Sequence, residues 1–166
     1  MKNIIVVALI LISIIACNSE NDQSLYDNAG KFSKEQKFNE AMKNYEKIIN
    51  EFPESKYKAE VLFELGKMFQ ARMDKATPEI KSYEKSKKYF AMLYKEFPKN
   101  KNAASSLFMV GFIQANLLNQ LDSAKIIYNK FLKEFPNHPM AESAKAEVEN
   151  LGVPPEEIIF KEESAK

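Results

Sequence analysis

A helix-ending tripeptide recurs three times along the chain, as Glu51-Phe52-Pro53, Glu96-Phe97-Pro98 and Glu134-Phe135-Pro136. The phenylalanines stand 45 and 38 residues apart, at 52, 97 and 135. Self-similarity at this period marks a chain built of stacked supersecondary units, and it must be tested before any other fold is considered. Aligned on the phenylalanine, the three segments agree at four further columns. Eleven residues upstream are Ala41, Ser86 and Ala124, and seven upstream are Tyr45, Phe90 and Tyr128. Four upstream are Ile48, Leu93 and Phe131, and three upstream are Ile49, Tyr94 and Leu132. That spacing is one face of a helix. The proline lacks the N–H needed to continue the helix and stops it.

A second helix follows each stop. Leu62 and Leu107 lie ten residues past the phenylalanine, and Gly66 and Gly111 lie fourteen past it. A glycine inside a helix costs about 1 kcal/mol of propensity, so its recurrence points to a close crossing of two helices. The pattern predicts helices over 22–34, 38–51, 56–72, 79–96, 101–118, 121–134 and 138–151. Asn39, Ser55, Asn100 or Asn102, and Asp122 are placed to accept from free N–H groups at helix starts. Pro139 suits the first turn of the last helix. Four glycines in 166 residues, with 45% apolar and 28% charged side chains, fit an economical helical domain.

With their large residue, glycine and aromatic in the first helix, and small residue, aromatic and proline in the second, these columns resemble the tetratricopeptide repeat. Repeat one matches through Leu25, Ala29, Phe32, Phe38, Ala41, Tyr45 and Pro53. Repeat two matches through Leu62, Leu65, Gly66, Phe69, Ser86, Phe90 and Pro98, and repeat three through Leu107, Val110, Gly111, Leu121, Ala124, Tyr128 and Pro136. Ala29, Ser86 and Gln114 depart from the motif. Repeat three carries one extra residue at its inner turn, and repeat two carries eight within 72–82. Two longer helices meeting at Thr77-Pro78 would absorb them; the alternative is a partner-specific loop. The resemblance implies an all-α, right-handed superhelix of antiparallel helix pairs. It divides 25–152 into repeats at 25–54, 55–98 and 99–136 and a capping helix at 137–152, with a tail over 153–166. Ile158-Ile159-Phe160 in that tail can pack back on the cap or stay free.

The N-terminus sets the expected compartment. Lys2 precedes an apolar run from Ile4 to Ile15, shorter than the roughly 20 residues a membrane-spanning helix needs. Ile14 and Ala16 then precede Cys17, the one cysteine, and this junction resembles the bacterial lipobox. The resemblance implies a signal over 1–16, diacylglycerol and further acylation (palmitate) on Cys17, and a polar tether over 17–24. Several acyl chains anchor a protein stably. Asn18 in place of Asp implies the outer membrane, facing the periplasm. Together with the repeats, this layout resembles the barrel-assembly lipoprotein partner of the outer membrane and the Tol-Pal cell-division coordinator.

Little in the chain specifies chemistry. Lys+Arg and Asp+Glu number 24 and 23, so the basic excess of a nucleic-acid binder is missing. His138 is the one histidine, in a turn and expected at the surface, and a lone Cys and His leave metal clusters without their members. Glu35, Glu40, Glu46 and Glu51 read as solvated i,i+4 partners of lysines. The reading is therefore a non-enzymatic, cofactor-free adaptor for an envelope protein or peptide, with outer-membrane protein assembly as one expected setting; the alternative is a Tol-Pal-linked division or peptidoglycan-associated factor. The resemblance assigns the binding groove to the concave face, with Tyr26 from repeat one, Glu60, Phe63, Lys67 and Gln70 from repeat two, and Phe108 and Phe112 from repeat three. Core packing competes for Phe63 and Phe108. An uncovered end of the array would also let a second copy stack on it.

Overall fold

The computed structural model of the chain describes residues 20–154 and Glu157. Seven α-helices follow in order: α1 (Asp22–Lys34), α2 (Phe38–Glu51), α3 (Lys58–Gln70), α4 (Glu79–Glu96), α5 (Ala103–Phe112), α6 (Leu121–Glu134) and α7 (Ala141–Glu149). Each packs on its neighbours in sequence, so α1/α2, α3/α4 and α5/α6 form three pairs and α7 lies on α6. This is an all-α fold of helix-pair repeats with one additional helix. The expected signal peptide, Cys17 and most of the tail, including Ile158-Ile159-Phe160, lie outside the described residues.

The columns read from the sequence fill the core. Ala41, Tyr45 and Ile48 are buried in α2, Ser86, Phe90 and Leu93 in α4, and Ala124, Tyr128 and Phe131 in α6. Phe63 and Met109 each pack against two neighbouring clusters, which joins the pairs into a continuous interior. The two glycines accept aromatic rings from the paired helix rather than a crossing backbone. A Cβ on Gly66 would stand 2.7–2.9 Å from carbons of the Phe90 ring, and one on Gly111 would stand 2.9–3.2 Å from those of Tyr128. Ser86, at the small position beside them, donates its buried hydroxyl to the Gly66 carbonyl at 2.6 Å, and Ser82 does the same to Phe69 at 2.7 Å. Burying these hydroxyls is tolerable because each has an acceptor.

The turns between pairs repeat as faithfully as the helices. The carbonyls of Phe52, Phe97 and Phe135 accept from the N–H of Ser55, Asn100 and His138. The side chains at those three positions then accept from the backbone N–H of Tyr57, Asn102 and Met140. Ser55 and Asn100 thus act in the turn ahead of each helix, whereas Asn39 and Asp122 make no capping bond. His138 is half-buried rather than at the surface, with its ring edge-on to Phe131 at 5.5 Å. Pro139 falls in this turn, because α7 begins only at Ala141. A side-chain cap is formed at α1, where Asn21 and Ser24 bond reciprocally.

The turns inside each pair use left-handed residues that are not glycine: Gln36 (φ 60°), Arg72 (φ 52°) and Asn119 (φ 51°). After α1 and α3 the following N–H reaches back to Phe32 and Met68, closing a Schellman-type end. This ends α3 at Gln70, two residues before the expected limit, and leaves 71–78 as a loop. The insertion is therefore divided, with α3 no longer than α1 and α4 four residues longer than α2 or α6. Asp74 ties the loop by accepting from the Ala76 N–H and the Thr77 hydroxyl. The extra residue of repeat three widens the end of the helix predicted over 101–118 into a π-helical turn, Ile113–Leu117.

Candidate functional site

α1 and the turn before α3 bring the expected groove residues of the first two repeats together. The Tyr26 ring stacks on Tyr57 at 4.3 Å with 14° between planes. Tyr57 reaches that position because the turn after Phe52 holds its N–H, and its hydroxyl donates to the Gln23 side chain of α1. Burial, and then the nearby Glu60 carboxylate, push the Tyr26 phenol above its ordinary value. One turn along, Phe63 is half-buried, with Lys67 Nζ 5.2 Å over its ring and paired to Glu64 at 2.7 Å. The Phe63 edge meets Phe90 at 5.7 Å. The ring therefore serves the core with one side and the groove with the other.

Glu60, Phe63 and Glu64 of α3 form one wall of a cleft of about 370 Å³, and Asn100, Lys101 and Asn102 of the next turn form another. Its lining combines Lys56 and Lys101 with Glu60 and Glu64, and Phe63 is its aromatic residue. Such a surface can hold an extended chain through an apolar anchor and flanking polar contacts. The sequence reading named Tyr26, Glu60, Phe63 and Lys67. It missed Glu64, next to Phe63 on α3, and also Tyr57 and the 100–102 turn, whose placement by turn hydrogen bonds leaves its signal in the column five residues past each phenylalanine.

The remaining expected residues separate from this group. Phe108 is 6% exposed and packed on Tyr128 and Phe131, so it is a core residue rather than a groove residue. Phe112 is half-buried against the same cluster. Gln70 sits at the C-terminal end of α3, outside the residues lining the cleft. A second cleft, of about 630 Å³, lies between the π-helical turn and α7. Ala115, Asn116, Asn119, Ser143, Glu147 and Asn150 are among its lining, and Asn116 donates to Glu147 at 3.1 Å.

The carboxylates do not follow the i,i+4 expectation. Glu35 pairs with Lys37 at 2.7 Å, and Glu46 reaches across to Lys85 and accepts from the Tyr89 hydroxyl at 2.9 Å. Among the described residues no group of three or more His, Cys, Asp or Glu side chains could hold a metal ion, and no helix is long and apolar enough to cross a membrane.

Residues 25–55 and 105–138 match the family profile of the tetratricopeptide repeat. These are the first and third units, and the unmatched middle unit is the one with the insertion. No curated protein matches the chain. Helix pairs of this geometry, glycines seated on aromatic rings and two matched units make this a tetratricopeptide-type repeat fold, the architecture of a protein–protein interaction scaffold.

Proposed function

We propose that the chain is a lipid-anchored, non-enzymatic scaffold of the bacterial envelope that holds an extended segment of a partner protein along α1 and α3. One observation carries the binding site. Tyr26 and Tyr57 stack at 4.3 Å ahead of α3, and Phe63 lies beside the unlike charges of Glu60, Glu64 and Lys101 in an open cleft between α3 and the 100–102 turn. The lipobox resemblance around Cys17 supports the anchor. The likeness to barrel-assembly lipoproteins supports a partner engaged in outer-membrane protein assembly.

A photo-crosslinking residue placed at Glu60 or Phe63 tests the site in intact envelopes. Both positions are expected to give the same discrete adduct, and Ile126, 67% exposed on the opposite helix layer, is expected to give none. Equal adducts from Ile126, or none from either groove position, would refute the assignment. Acyl-chain labelling of the wild type, lost in Cys17→Ser, tests the anchor independently.

A further inference from the structure

We propose that the edge of the array formed by its three Phe-Pro turns faces an anionic lipid surface, with Lys95 and Lys99 as its headgroup contacts. The inference rests on the anchored reading and adds an orientation to it. Antiparallel pairing places every turn between pairs at one edge, so 52–57, 97–102 and 135–140 lie together. The N-terminal end of the described chain joins that edge. Glu20 pairs with Lys47 at 2.5 Å, and Asp22 accepts from Ser55 at 2.7 Å. Cys17 is three residues before Glu20, so no more than about 11 Å of chain separates them. An anchor at Cys17 therefore holds this edge, rather than the opposite one, next to the bilayer.

Two exposed lysines mark the middle turn. Lys95 and Lys99 are exposed, and among the described residues neither is in an ion pair. Their acidic neighbour Glu96 is paired with Lys58 at 2.8 Å, which also links the first turn to the second. Glu134 keeps its charge while accepting from the Tyr94 hydroxyl at 2.5 Å. It opposes the attraction from the third turn as Glu51 and Glu54 do from the first, so lipid contact centres on the middle one. On the opposite edge Lys37 and Arg72 are paired with Glu35 and Glu79. Lys34 and Lys75 there are exposed and, among the described residues, unpaired as well, so the position of the N-terminal end, not charge, selects the edge. Each lysine near an anionic leaflet strengthens association about fivefold (about 1 kcal/mol). Two would give about twenty-five-fold, which is ample to orient an already tethered domain.

Lysine acylation footprinting of the full chain in proteoliposomes tests the orientation. Vesicles of phosphatidylcholine alone are compared with vesicles containing phosphatidylglycerol. Lys95 and Lys99 are expected to be at least fivefold less reactive in the anionic vesicles, with the protection lost at high salt. Lys34 and Lys75, on the opposite edge, are expected to react equally in both. Lys99→Gln, a change confined to an exposed turn and outside the cleft lining, is expected to reduce the protection of Lys95 severalfold. Equal protection of both edges, no protection of Lys95 and Lys99, or protection that ignores the lipid charge would each overturn the proposal. The mass of the Cys17 peptide reports acylation separately. If it carries no lipid, the same footprint is read on chain added to preformed vesicles, so the two readings fail independently.

Discussion

Two helix-interior glycines offer a controlled comparison. Gly30 in α1 has nothing within 4 Å of the position a Cβ would take, and Gly66 in α3 has three Phe90 ring carbons at 2.7–2.9 Å. Replacement by alanine gives both helices the same propensity gain, about 1 kcal/mol. At Gly30 that gain stands alone, so Gly30→Ala is expected to stabilise the chain by about that amount. At Gly66 the methyl group must push a ring that is 1% exposed and held edge-on by Phe63. Overpacking of this kind costs about 1–3 kcal/mol. Gly66→Ala should therefore be less stable than Gly30→Ala by about 1–3 kcal/mol. Urea unfolding followed by far-UV circular dichroism measures both under identical conditions. Gly66→Ala/Phe90→Leu closes a double-mutant cycle and should lose less than the sum of its single changes. Equal stability of the two alanine variants, or strict additivity in the cycle, would refute the ring-on-glycine account of how these pairs close.

Two further outcomes follow from the turns and the buried phenols. Gln36 holds φ at 60° without being glycine, so Gln36→Gly should raise stability by about 0.5–1 kcal/mol; thermal melts that show a loss would mean the residue contributes something beyond its backbone. Burial, and then the Glu46 carboxylate, push the Tyr89 phenol above its ordinary value near 10. The folded state thus keeps a proton that the unfolded chain releases above about pH 10, so stability is full below that pH and falls as pH rises beyond it. Tyr89→Phe should make the alkaline decline shallower by about 1.4 kcal/mol per pH unit in urea titrations at stepped pH.

The repeats were legible because one physical constraint writes several columns at once. A helix that must bury a face against its partner shows apolar residues at 3.6-residue spacing, and a stop that must recur shows Phe-Pro at each end. The ranges of α1, α2, α4 and α6 follow directly. The ends of α3 and α5 did not: α3 closes at a left-handed Arg72, a residue type without a turn signature, and α5 gives way after Phe112 to a π-helical turn that periodicity does not show. The groove was half legible. Tyr26, Glu60, Phe63 and Lys67 are placed by helix periodicity, whereas Tyr57 and Asn102 are placed by hydrogen bonds in the turns. Phe108 was misassigned because the face that carries Phe63 to the groove in repeat two is closed in repeat three by Tyr128 and Phe131.

That closure and the π-helical turn are two aspects of one asymmetry. Repeat three has one residue more than its inner turn can hold, and α5 absorbs it by widening its last turn, so that Leu118 bonds to Ile113 and Gln120 to Gln114. The widened turn leaves the Gln114 Oε1 without a hydrogen-bond partner among the described residues. It also carries Ala115, Asn116 and Asn119 to the wall of the cleft that α7 completes. The cap helix covers the end of the array with a polar outer face, since Glu142, Lys145 and Glu149 are exposed while Ala141 and Ala144 are buried. At the other end α1 and α2 expose Asp27, Asn28, Lys31, Glu40, Lys43 and Lys47. Among the described residues both ends therefore present charge that a stacked second copy would have to bury. The cleft between α3 and the 100–102 turn combines the half-buried Phe63 ring with the unlike charges of Lys56, Glu60, Glu64 and Lys101, and the proposed binding rests on it.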